Sequence, residues 1–184
     1  MAREREDVLD ELLVLRCQSG DERALDMLVR RWNQRVLAYS ARLTGSSLVA
    51  PDVAQEVWLA VVRGIRRLSD PALFRSWLFR IAANKCADWV RSQQKRRRVL
   101  EAASVEQAAE RDVGSKEPSD SRLGLLRQGL QMLPHNRRTI LAMFYLEEMS
   151  VKEISDVLSV PVGTVKSRLF HARAALKEKL EEGS

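Results

Sequence analysis

The sequence predicts an all-α protein: an N-terminal helical bundle and a C-terminal helix-turn-helix domain, joined by a flexible linker. Three observations predict it. Apolar residues recur at three- and four-residue spacings along most of the chain. No segment shows sustained strand alternation or a hairpin turn. An acidic stretch bearing Gly, Ser and Pro separates two basic blocks.

The elements follow in order. Leu9, Leu12, Leu13 and Arg16 set a first helix whose apolar face ends near Cys17. Ser19-Gly20-Asp21 breaks the chain, and Asp21 is a good N-cap for the next helix. Leu25, Leu28, Val29, Trp32, Val36, Leu37 and Leu43 form one stripe to about Thr44, where Gly45-Ser46-Ser47 ends it. Pro51-Asp52 opens a third helix with Val53, Val57, Ala60, Val61 and Ile65 inside. Ser69-Asp70-Pro71 is a turn or cap. A fourth helix runs through Trp77, Ile81, Cys86, Trp89 and Val90 into Lys95-Arg96-Arg97-Arg98. These helices make a domain over residues 1–98. Residues 99–121, with Gly114, Ser115, Pro118, Ser119 and Ser121 among acids, read as the linker.

The second domain spans residues 122–184. Leu123, Leu126, Leu130 and Leu133 make its first helix, ended by Pro134, and Thr139 to Leu146 its second. Ser150 and Glu153 form a capping box that starts a third. Ile154 and Leu158 face inward, Ser159-Val160-Pro161 turns the chain, and Val165, Leu169 and Ala172 pack the last helix back.

Composition narrows the function. Of 184 residues, 45% are apolar, enough for a real core, and the net charge is +6. By segment the charge is +7 over residues 1–100, −4 over 101–121 and +3 over 122–184. Two basic blocks suit a polyanion partner. Cys17 and Cys86 lie far apart without a CxxC motif or a nearby His, so neither a disulfide framework nor a zinc site is expected. The simple reading is a reducing, cytoplasmic home. The charged N-terminus is unlike a signal peptide, and the longest apolar run, Ile140 to Leu146, is far short of a membrane span.

The polar residues sharpen this. Thr164, Lys166, Ser167, Arg168, His171 and Arg173 are left facing outward on the last helix, and such side chains reach phosphates and base edges in a major groove. Arg91, Lys95, Arg96, Arg97 and Arg98 are more charge than a helix dipole needs, which points to nucleic-acid contact. Arg80, Asn84, Lys85 and Asp88 line the polar face of the same helix. Trp32, Trp58, Trp77 and Trp89 sit on apolar stripes and read as core. Asp52, Gln55 and Glu56 form a polar edge that solvent alone could explain. No catalytic, metal or cofactor constellation is present, so an enzyme is not expected. A helix-turn-helix by itself also fits a dimeric repressor or activator with an N-terminal sensory bundle.

Three segments of the first domain and one of the second resemble a known family. They are Gly20 to Leu25 through Arg42-Leu43-Thr44-Gly45; Asp52-Val53-Ala54-Gln55-Glu56-Val57-Trp58; Arg75-Ser76-Trp77-Leu78-Phe79-Arg80-Ile81-Ala82-Ala83-Asn84; and Leu133-Pro134 with Glu153-Ile154 through Leu169. In this order they resemble the extracytoplasmic-function group of bacterial RNA polymerase sigma factors. The resemblance implies a region 2-like first domain and a region 4-like second. It implies a monomer that binds core RNA polymerase, directs it to promoter DNA and helps open it. Asp52, Gln55 and Glu56 would bind a coiled coil of the polymerase's largest subunit. Asn84, Arg80, Lys85, Phe74 and Arg91 would read the minus-ten element, with a flipped base entering near Asp70 to Ser76. Thr164, Lys166, Ser167, Arg168, Phe170, His171 and Arg173 would meet the minus-thirty-five element. The acidic linker would thread the channel that later holds RNA, and an anti-sigma factor is expected. Departures from the family pattern are Ser155 for the usual Ala, His171 where many members carry Arg, and Val49-Ala50-Pro51 in place of an acidic lead-in.

Overall fold

A computed structural model describes residues 2–103 and 122–182, and all regular structure among them is helical. Helix α1 (Ala2–Gln18) ends at Gly20, whose φ of +92° suits glycine. Asp21 then caps α2 (Glu22–Thr44): its carboxylate accepts from the backbone N–H of Arg23 at 2.9 Å and of Ala24 at 3.2 Å. Arg16 donates to the same carboxylate at 2.6 Å, which, with the capping bonds, holds it below the usual range. Gly45, at φ +79°, closes α2 by donating its N–H to the Ala41 carbonyl at 2.9 Å.

Helix α3 (Ala50–Gly64) carries Pro51 in its first turn and runs into a 3-10 turn, Ile65–Arg67. The Gln18 amide donates to the Ile65 and Leu68 carbonyls at 3.0 and 2.7 Å, tying α1 to that turn. Asp70 accepts from the Ala72 N–H at 3.0 Å and starts a second 3-10 turn, Pro71–Leu73, from which α4 (Phe74–Ala103) emerges. Helix α4 therefore runs five residues past the domain end expected at Arg98. The rest of the expected linker, residues 104–121, lies outside the described residues.

In the second domain α5 (Arg122–Met132) precedes α6 (His135–Leu141), which continues as one π-helical turn, Ala142–Leu146. Helix α6 begins at His135, not Thr139, because Pro134 supplies the non-helical cap and the first turn is polar. Apolar periodicity could not reveal that turn. Helices α7 (Val151–Leu158) and α8 (Val162–Glu182) complete the fold.

The core of the first domain is aromatic. Trp32 meets Phe74 and Phe79 edge-on with ring centroids 6.3 and 6.0 Å apart, and Tyr39 meets Phe79 at 5.1 Å. Leu13, Val14, Leu28, Val36, Val57, Val61, Leu78 and Cys86 fill the space around them. In the core, Trp32 is nearly fully buried, while Trp58, Trp77 and Trp89 pack against its edge, as their stripes predict. Both cysteines are buried, and burial pushes the Cys86 thiol up to about 11. No helix among the described residues is long and apolar enough to cross a membrane.

A single buried acid links α1 to this core. Asp10 accepts from the Trp32 indole N–H at 3.1 Å and from Arg31 at 2.8 Å, while burial raises its pKa. Asp10→Ala should strand the indole N–H and lower the unfolding free energy by about 2 kcal/mol. Urea unfolding checks this; a change under about 0.5 kcal/mol would remove the role assigned to Asp10.

Candidate nucleic-acid interface

Helix α3 buries Val53, Ala54, Val57 and Val61 and so turns Asp52, Gln55 and Glu56 to solvent together. Leu59 and Val62, 41% and 49% exposed, continue this face. The apolar period missed them, since a leucine or valine on a helix reads as core until its rotation is known. The expected polymerase-facing edge is therefore part polar and part apolar, as a protein-binding surface is.

Helix α4 is oriented in the same way. Leu78, Phe79, Ala82, Ala83 and Cys86 are buried, and Arg80, Asn84 and Arg91 are exposed. Arg80 donates to the backbone carbonyl of Asp156, Arg91 pairs with Asp88, and Lys85 Nζ lies 3.1 Å from Glu56 Oε2. The last pair joins the expected polymerase face to the expected DNA face. Exposed pairs of this kind stabilise little, roughly 0–1 kcal/mol, so phosphate oxygens can replace the internal acceptors. Phe74 departs from expectation. It is 1% exposed, packed on Trp32, because the Asp70 cap and the 3-10 turn direct it inward. Leu73, 49% exposed, is the apolar residue this turn presents. Ser76 is buried as well.

The helix-turn-helix is held by side-chain chemistry at each joint. The capping box forms in full: Glu153 N–H donates to Ser150 Oγ at 3.2 Å, and Ser150 N–H to Glu153 Oε2 at 2.7 Å. Ser159 closes α7 in the left-handed region at φ +53°. Ser155 Oγ donates to the Val160 carbonyl at 2.6 Å. The departure at Ser155 thus supplies a hydrogen bond across the turn. Val165, Leu169 and Ala172 are buried, as expected. Lys166, Ser167, Arg168, Phe170 and His171 are exposed, with Thr164 half-buried. Arg173 is exposed but stacks on Phe144 and Tyr145, 5.1 and 5.4 Å from their ring centroids.

The two domains touch through arginines. Arg35 of α2 donates to the buried Glu147 carboxylate at 2.9 Å. Burial pushes that carboxyl up, and Arg35 pulls it back. Arg75 lies 3.4 Å from Glu153. Arg138 of α6 donates to the Arg42 and Leu43 carbonyls at the end of α2, at 3.3 and 3.2 Å. It also donates to the Gln131 and Leu133 carbonyls at the end of α5, at 2.8 and 3.1 Å. One guanidinium thus satisfies two helix C-termini. Sequence patterns had no means of showing this, since none of these pairs is local.

Residues 28–96 match the family model described as Sigma-70 region 2, and residues 123–176 the model described as Sigma-70, region 4. The chain is 32% identical to RNA polymerase sigma-H factor of Pseudomonas aeruginosa, over 94% of each protein. It is 31% identical to ECF RNA polymerase sigma-E factor of Haemophilus influenzae, over 96% of this chain and 97% of that one. Among solved structures it is similar to CnrH in complex with the cytosolic domain of CnrY. That TM-score is 0.70 at 30% identity, covering 96% of this chain and 99% of the other. It shares its fold with the sigma factor RpoE in complex with the anti-sigma factor NepR from Bartonella quintana. There the TM-score is 0.68 at 18% identity, covering 85% and 96%.

His135 gives the interface between the domains a pH dependence. Burial lowers its pKa from 6.5, as do Arg138 on its own helix and Arg91 on α4, while the Leu43 carbonyl of α2 opposes them. The docked state therefore favours neutral imidazole. Through this group docking should be favoured above pH 6.5 and weaken as pH falls through that value, because the separated state takes up the proton first, while Glu147, whose carboxyl burial pushes up, acts in the opposite sense at lower pH. Fluorescence transfer between dyes at positions 19 and 178 should report lengthening between about pH 7.5 and 5.5, absent in His135→Gln. A wild-type response identical to that of His135→Gln would exclude the mechanism.

Proposed function

The chain belongs to the sigma-70 family of bacterial RNA polymerase sigma factors, in the extracytoplasmic-function group, and from that premise we propose how its surfaces divide the work. It is a factor that binds core RNA polymerase, directs it to specific promoters and helps open the DNA. Its family acts in transcription initiation. We read it as a non-enzymatic, cytoplasmic monomer whose chemistry is binding alone. The observation that carries the reading is the joint occurrence, in one chain, of matches to both regions with an outward-facing basic recognition helix.

Asp52, Gln55 and Glu56, joined by Leu59 and Val62, dock on the largest-subunit coiled coil. Arg80, Asn84, Lys85 and Arg91 take the minus-ten element, where capture of unpaired bases shifts the duplex toward the open form. Phe74 acts from within, by fixing the start of α4. Thr164, Lys166, Ser167, Arg168, Phe170 and His171 enter the major groove at the minus-thirty-five element, and Arg173 steadies the helix from its aromatic seat. Residues 1–98 and 122–184 serve as the two working domains, with the acidic linker crossing the RNA channel.

The docked arrangement is a storage form. The two elements, centred about 25 base pairs apart, lie roughly 85 Å apart at about 3.4 Å per pair. Helix α7 rests on α4, and packed helices are separated by only about 10 Å. The domains must therefore part to span a promoter, and polymerase supplies the fixed spacing. The relatives CnrH and RpoE are named as complexes with CnrY and with an anti-sigma factor, which supports an anti-sigma partner here that holds the docked form.

Added to core polymerase, the chain should stimulate promoter-specific transcription from genomic templates. Gln55→Ala with Glu56→Ala should weaken polymerase association by at least tenfold, about 1.4 kcal/mol, in a direct binding assay. An unchanged affinity would withdraw that face. Arg168→Glu should remove upstream-element protection in footprints of the polymerase complex while leaving polymerase binding intact. Persisting protection would withdraw the groove contact.

A further inference from the structure

The ionic contacts between the domains run in one direction. From the first domain, Arg35 of α2 donates to the Glu147 carboxylate at 2.9 Å, and Arg75 of α4 lies 3.4 Å from Glu153. Arg80 of α4 donates to the Asp156 carbonyl. Arg42 is exposed on α2 two turns beyond Arg35. Burial raises the Glu147 carboxyl, and Arg35, Arg75 and Arg42 together pull it back, so all three guanidinia face it. Arg138 and His135 reach the other way, onto carbonyls at the end of α2, and bring no acid.

Three observations say what this face is for. Positive charge exceeds what docking uses. Glu147 meets three guanidinia, and Glu153 is shared with its own capping box, where its Oε2 accepts from the Ser150 N–H at 2.7 Å. The face is also continuous with Arg80. Glu153 and Asp156 are three residues apart on α7, so the helix that lies on Arg75 lies on Arg80 as well. Parting the domains uncovers both at once. Finally, Arg35 is held ready. Its guanidinium stacks over the Trp32 ring, 4.8 Å from the centroid, a contact inside the first domain that survives the departure of Glu147. Arg42 follows about 10 Å further along α2.

We propose that Arg35, Arg42 and Arg75 form a second phosphate site on the first domain, which takes the DNA backbone beside the strand held at the minus-ten face, and that Glu147 and Glu153 occupy it in the closed chain as carboxylate stand-ins for phosphate. A guanidinium fork fits carboxylate and phosphate alike, so the exchange leaves the arginines where they are. The contacts go to backbone oxygens and carry no sequence information. Docking and DNA exclude one another at this site, so DNA opens the chain by as much as it prefers the open form. The choice of DNA rests on the minus-ten reading of Arg80, with which the site is continuous.

The test uses the full chain without polymerase. The probe is a single-stranded oligothymidylate of about a dozen nucleotides, its affinity measured against salt. Glu147→Gln should bind it several-fold more tightly than wild type, because the competing charge is gone. Adding Arg35→Gln and Arg42→Gln to that variant should weaken binding about tenfold. The slope of log affinity on log salt should become shallower by about 1.4, two contacts at about 0.7 each. Arginines that serve docking alone would leave the triple variant as tight as Glu147→Gln, since its domains are no less free to part, and that result would overturn the site. In wild type the oligonucleotide should lengthen the distance between dyes at positions 19 and 178; binding without lengthening would overturn it too. Polyglutamate should compete far less well, and equal competition would make an acidic protein segment the occupant in place of DNA. Arg80→Gln in the Glu147→Gln background separates the site from the reading beneath it. A loss with Arg80→Gln and none with the arginine pair would remove the site and keep the minus-ten reading. A loss with the pair and none with Arg80→Gln would remove that reading, and with it the assignment of the site to promoter DNA.

Discussion

The rotation of α4 about its own axis is the constraint on which the rest depends. Phe74, Leu78, Phe79, Ala82 and Cys86 form one buried stripe, and the edge-on contacts of Phe74 and Phe79 with Trp32 leave that stripe a single seat. Close packing of this kind does not tolerate gradual rotation. Once the stripe is seated, Arg80, Asn84 and Arg91 must face outward. The same logic places Asp52, Gln55 and Glu56 on α3 and the basic face on α8. In each case the residues proposed for binding are the ones that packing releases to solvent.

The contacts between the domains obey a different physics. Arginine guanidinia and carbonyls at helix ends accompany an apolar contact continuous with both cores, and Glu147 is a deeply buried charge beside it. Polar contacts of this type separate readily, because water can replace each partner. Glu147 sharpens the point. Its side chain is 3% exposed while that of Arg35 is 41% exposed, so docking strips water from the acid more completely than from its partner. Desolvation raises its pKa, which means part of the Coulomb attraction only offsets a penalty. This ion pair therefore adds less to docking than its short distance suggests.

Much of this was legible in the chain, and what was not has a common cause. The helices, the capping box at Ser150 and Glu153, the Asp21 cap, the buried tryptophan Trp32 and the buried cysteines all follow from spacing, because spacing encodes a helix's own face. The outward basic residues of α8 followed for the same reason. Phe74 did not: an aromatic beside a turn can point either way, and only the Asp70 cap decides. The polar first turn of α6 hid its start. Leu59 and Val62 were assigned to no face, because apolar identity alone does not say which way a helix residue points. The Arg35–Glu147 pair and the Arg138 staple join residues about a hundred positions apart, and no local pattern reaches that far.

Each cation proposed for the minus-ten element has an internal partner in the free chain. Arg80 holds a backbone carbonyl of α7, Lys85 holds Glu56, and Arg91 holds Asp88. Such exposed contacts contribute about 0–1 kcal/mol each, close to what a hydrated phosphate contact returns at moderate salt. Exchanging one set for the other is therefore nearly balanced, and the free energy that tips it must come from elsewhere. Polymerase is the available source. On the proposed roles, docking of Glu56 on polymerase would remove the partner of Lys85, and separation of the domains would remove that of Arg80. Both cations proposed to meet DNA would then be freed by the same event that brings the promoter near. A chain that held these residues in strong buried pairs would stay closed, and one without internal partners would bind any polyanion it met.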